Sequence, residues 1–169
     1  MKKHYIILLF CLLAAMITPL SSRAQAKVKQ ASVKISGEVT TPTEIKLADM
    51  AQFEQTKVVR KDKDGNDHTY VGVLLSAILQ KAGATMGKDL KGENLTKYIL
   101  AEASDGYQVT FALTELDKDF TDRQIILATQ MDGKALPDAD GPFRIIVQDE
   151  KKPARCMKQV TGIKVAFAK

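Results

Sequence analysis

Arg144, Arg155 and Lys158 lie close together toward the C-terminal end of the chain, and their side chains suit one kind of chemistry. A guanidinium offers a planar fork of N–H donors to a phosphate or other oxyanion, and an ammonium adds a compact positive charge. Cys156 stands among them with two readings: a thiolate that meets a soft metal, or a small buried apolar side chain. If this segment is extended, Cys156 and Lys158 face one way and Arg155 the other. His68 ends the charged stretch Asp64-Gly65-Asn66-Asp67-His68 and is expected to be a solvated hairpin histidine, since a catalytic base needs a pocket around it.

The N-terminus carries Lys2 and Lys3, an apolar run of 13 residues from Tyr5 to Ile17, and then Ala24-Gln25-Ala26, the small-x-small pattern of a signal-peptidase site. Residues 1–26 are therefore expected to be a signal peptide and residues 27–169 a single domain, with a periplasmic or extracellular location. The run falls short of the roughly 20 residues a spanning helix requires, so no stable membrane anchor is expected. Cys11 sits behind bulky Phe10, unlike a lipoprotein cleavage site.

Without Lys2, Lys3 and Arg23, 22 basic residues face 20 acidic ones, too even a balance for a nucleic-acid footprint. One cysteine and one histidine remain after the signal. That excludes a zinc site of nitrogen and sulfur ligands, a covalently attached c-type haem and an internal disulfide. Neither a Walker loop nor GxGxxG occurs.

The elements that must position these residues are mostly strands. Asp-Gly occurs four times, at Asp64, Asp105, Asp132 and Asp140. The first three are flanked by strand-like segments and suit tight hairpin turns. Strands are expected over 32–39, 56–61, 68–71, 97–102, 108–112, 124–130, 143–147 and 157–167. Leu75, Ile78, Leu79 and Ala82 follow the spacing of one apolar helix face, with Gly83 placed to end it. A shorter helix is expected from Thr114, capped by its hydroxyl, and another over 47–53. The fold class is α+β or mainly β, with hairpin strands and a few short helices.

Several segments, in order, resemble the molybdopterin-binding domain of the sulfite oxidase family. Tyr70-Val71-Gly72-Val73-Leu74-Leu75 through Gly83 is similar to its "GVPL…LL…AG" helix, and Ala103-Ser104-Asp105-Gly106-Tyr107 to its "DGY" turn. Leu127-Ala128 through Leu136-Pro137 is similar to "LA…NG-x-x-LP". Gly141-Pro142-Phe143-Arg144 resembles "GxPxR", one residue short, and Lys158 falls at a family lysine. The resemblance covers roughly residues 55–165. It implies a sulfite-oxidase-like fold and a pterin-phosphate site in which Arg144, Lys158, Arg155, Ser104, Asp105 and Tyr107 contact the cofactor. A plainer role for Ser104, Asp105 and Tyr107 is to make a turn and pack on the sheet.

The same comparison shows what is missing. In the family's enzymes a cysteine thiolate after the first strand holds molybdenum alongside the pterin dithiolene, whereas residues 57–65 here contain no cysteine. The family histidine before the arginine falls on Ala139 or Asp140, and the tryptophan beside the lysine is Gln159. The expected function is an exported molybdopterin-binding-domain protein that binds a pterin cofactor, an oxyanion ligand or a partner without its own metal ligand. Two alternatives stand: a molybdenum-dependent oxidoreductase or a subunit of one, and a structural partner domain in a redox complex.

Overall fold

The computed structural model describes residues 31–168, so the expectations for residues 1–26 lie outside the described residues. Strand β1 (Ser32–Gly37) pairs antiparallel with β2 (Thr43–Lys46) and parallel with β10 (Val160–Phe167). β10 continues antiparallel to β5 (Lys97–Ala103), which forms a hairpin with β6 (Gln108–Ala112). A second sheet runs from β3 (Thr56–Lys61) to β4 (Asp67–Leu74) to β7 (Ile125–Met131). The far edge of β7 is shared by β8 (Lys134–Ala135) and β9 (Arg144–Val147).

Alternation accounts for most of the first sheet: Val33 and Ile35 point inward, as do Ile99, Ala101 and Ala103. β7 and β9 instead bury residues on both faces, the pattern of strands covered on each side. Helix α1 (Leu75–Lys81) buries Leu75, Ile78 and Leu79 in the core that both sheets share. Each such side chain contributes roughly 1.5–3 kcal/mol when fully buried. Gly83, at φ +75°, ends the helix as expected. The N–H groups of Ala84 and Gly83 donate to the carbonyls of Leu79 and Gln80, a Schellman closure.

Gly72 sits where β4 and β7 shift register, and a Cβ there would lie 2.2 Å from the Leu127 carbonyl oxygen. The glycine of the "GVPL" segment thus permits a close approach of two backbones.

Three expectations need correction. The segment at Thr114 is a single 3-10 turn, Leu113–Glu115. Its entry is secured by Glu115, whose side chain accepts from the Ala112 N–H at 3.2 Å, rather than by the Thr114 hydroxyl. Residues Leu47–Gln52 are 3-10 rather than α. The last strand begins at Val160 rather than Met157 because Gln159 takes φ +49° and its N–H is drawn to the Asp140 carbonyl. The short strands β2 and β8 were not expected.

Candidate functional site

The turns and irregular segments at one end of the two sheets enclose a cleft of about 790 Å³. Three of the four Asp-Gly pairs contribute to its lining, through Asp64, Asp105 and Asp140, and the fourth, at Asp132, bonds the cleft-lining His68. Hairpin turns therefore supply the wall, and β9 with the segment after it supplies the floor.

Arg144, at the start of β9, is 5% exposed. Its Nη1 donates to Asp140 Oδ2 at 2.8 Å and to the Tyr70 hydroxyl at 2.7 Å, and lies 3.5 Å from Asp62 Oδ2. Its Nε–H is buried without a protein partner. Lys158 meets the other oxygen of Asp140, so the two cations predicted to converge do so on one carboxylate. Asp105 and Tyr107 line the same cleft. The Asp105 side chain accepts the Tyr107 N–H at 2.9 Å, and the Tyr107 hydroxyl donates to the Ala154 carbonyl at 3.0 Å. The tyrosine ring is thereby fixed at the cleft edge while remaining half exposed.

Arg155 and Ser104 go elsewhere. Arg155 binds Glu115 at 2.9 Å and Glu150 at 2.8 Å and stacks over the Phe111 ring. Its guanidinium is committed to pinning the segment that forms the cleft lip. Ser104 donates to Gln159 Oε1 at 2.6 Å and lines a separate cavity of about 490 Å³.

Cys156 is 4% exposed at the cleft floor. Burial pushes its thiol pKa up, against the opposing influence of a Val147 backbone hydrogen bond and the charges of Arg60 and Arg144. It is a protonated, packed thiol at neutral pH. Cys156 and Lys158 do share a side that Arg155 does not, through a 3-10 turn at Pro153–Arg155 rather than through an extended strand.

His68 is held between Asp132 (Nδ1, 2.6 Å) and Asp64 (Nε2, 2.9 Å). These two hydrogen bonds raise its pKa to about 9, so it is an imidazolium that ties two turns together. This is a more constrained role than a solvated histidine.

Sequence reasoning missed Arg60, Asp62 and Tyr70. Arg60 is 6% exposed, and its Nη1 donates to Asp62 Oδ1 at 2.8 Å. Tyr70 is fully buried and donates to Asp62 Oδ2. Burial first, and the bond to Asp62 second, push the phenol pKa well up. The signal lay in the phase of β3, where Val58 and Arg60 face inward and Val59 faces solvent.

The cleft is less basic than an anion site read from Arg144 and Lys158 alone. Asp62, Asp64, Asp105 and Asp140 share its lining with Lys63, Arg144, Lys152 and Lys158. A buried guanidinium needs a counter-charge at all times, and these carboxylates provide it.

The solved structure of the sulfane dehydrogenase SoxCD from Paracoccus pantotrophus is similar to this chain, with a TM-score of 0.62 and 21% identity. The match covers 80% of this chain, which spans 38% of that one. The likeness shows the fold, mainly β and sulfite-oxidase-like, as the ordered motifs implied. No curated protein matches. The profile described as "oxidoreductase molybdopterin binding domain" matches residues 20–168, well over half the sequence, and the chain belongs to that family.

Proposed function

We propose that this protein is an exported binding domain of the molybdopterin-binding family, whose cleft takes a pterin cofactor or another oxyanion-bearing ligand without ligating molybdenum through a thiolate. The convergence of Arg144 and Lys158 on Asp140 carries the reading. It places a guanidinium and an ammonium side by side in a cleft large enough for a small ligand. Lys63 and Lys152 also line the cleft, beside the carboxylates of Asp62, Asp64 and Asp105, and a lysine ammonium can meet a phosphate oxygen.

The residues fit the phosphate of a pterin and do not fit its metal. The turn after β3 presents Asp62, Lys63 and Asp64 to the cleft, where the resemblance would place a thiolate. Cys156 is buried and protonated. Export rests on the composition of residues 1–26. No helix of the described residues is long and apolar enough to cross a membrane.

Elemental analysis of the protein purified from a host that makes molybdopterin should find less than stoichiometric molybdenum. One molybdenum per chain would overturn the reading in favour of an oxidoreductase. Calorimetry with a phosphate ester completes the test, with Lys158→Met weakening binding about tenfold or more through loss of one charge-assisted contact. Lys158 is half exposed and its loss leaves the core intact.

A further inference from the structure

Arg60 and Arg144 each keep a buried Nε–H with no protein partner, and one carboxylate stands between them. Asp62 Oδ1 accepts from Arg60 Nη1 at 2.8 Å, while Asp62 Oδ2 accepts from the Tyr70 hydroxyl and lies 3.5 Å from Arg144 Nη1. Three donors on three different strands thus surround an anion that the chain itself supplies. That anion comes from the β3–β4 hairpin turn. It lines the cleft, and its side chain is 17% exposed, more open than either arginine.

We propose that the Asp62 carboxylate occupies the subsite in which the anionic group of the ligand binds, between Arg60, Tyr70 and Arg144, and that the ligand enters by displacing it. The proposal rests on the binding function given above and deepens it. It names Arg60 as a second guanidinium at the site and Asp62 as an internal competitor.

The donors decide the class of ligand. With Asp62 withdrawn, Arg60 loses the carboxylate at 2.8 Å, and Arg144 keeps Asp140, which it shares with Lys158. An anion of several oxygens, such as a phosphate monoester or inorganic phosphate, offers an acceptor to each of the three donors left around the vacated position.

The test is calorimetric titration of inorganic phosphate into the wild type, Asp62→Asn and Arg60→Lys at fixed ionic strength, with chloride as the control anion. Asp62→Asn should bind phosphate about tenfold or more tightly than the wild type, because the competing charge is gone. Arg60→Lys keeps the charge and loses the fork, and should bind about tenfold more weakly.

Removing Asp62 leaves two buried guanidinium groups short of an anion, so thermal unfolding gives a second readout. Phosphate should raise the midpoint of Asp62→Asn more than that of the wild type, and Asp62→Ser should behave alike if the asparagine variant folds poorly. Unchanged or weaker binding by Asp62→Asn overturns the proposal. So does equal binding by Arg60→Lys, phosphate silence in all three proteins, or an equal response to chloride. The broader reading is judged separately, since molybdenum content and the effect of Lys158→Met on a phosphate ester do not depend on Asp62.

Discussion

Arg144 and Lys158 grip the same carboxylate from opposite oxygens, Arg144 at 2.8 Å from Asp140 Oδ2 and Lys158 at Oδ1. Asp140 is 9% exposed and Arg144 5%, so the guanidinium depends on this partner for its charge balance. Asp140→Asn should lower the unfolding free energy by about 3 kcal/mol, the scale of a broken buried pair. Urea denaturation measures it, and a loss under about 1 kcal/mol would place the pair with ordinary surface bridges.

The His68 clamp sets a pH dependence of known sign. Its pKa is raised from 6.5 to about 9 in the folded protein, by Asp132 first and Asp64 second. The stability it contributes is therefore complete below the unfolded value and is lost as the pH rises through about 9. Unfolding midpoints of the wild type should fall across that window more than those of His68→Gln. An imidazole resonance of His68 that titrates near its ordinary value would contradict the clamp.

Cys156 should resist thiol reagents in the native protein at neutral pH, because burial keeps the thiol protonated and covered. Labelling followed by peptide mass spectrometry should show no adduct on Cys156 before denaturation and one on it afterwards. Rapid native labelling would mean that the cleft floor opens.

Arg155→Met should cost about 1–2 kcal/mol, from two part-exposed ion pairs and a contact with the Phe111 ring. Affinity for a phosphate ester should change less than it does for Lys158→Met. A larger effect on binding than on stability would return Arg155 to the site.

Strand positions and hairpins were legible because the physics is local. Asp-Gly pairs make turns at φ values that few other residues accept, and β3 and β6 read correctly from alternation. Thr43–Lys46 and Lys134–Ala135 escape notice because a single apolar residue in each gives no period to detect. The site was half legible. Arg144 and Lys158 announced themselves by charge and by family motif, whereas Arg60 reads as a solvated strand residue until Tyr70 and Asp62 are placed across from it. Which carboxylate neutralises a buried cation is a tertiary fact, set here by a turn and by a strand from the other end of the sequence.

The position of β10 bears on the order in which the protein assembles. It is the last strand of the described residues, yet it lies at the centre of the first sheet, with β1 on one side and β5 on the other. A nascent chain that stops short of Val160 has nothing to join those two neighbours, so the sheet closes only after nearly all of the described sequence is available. The first sheet is therefore a late product of folding, since its two halves meet only through the strand farthest from β1 in sequence.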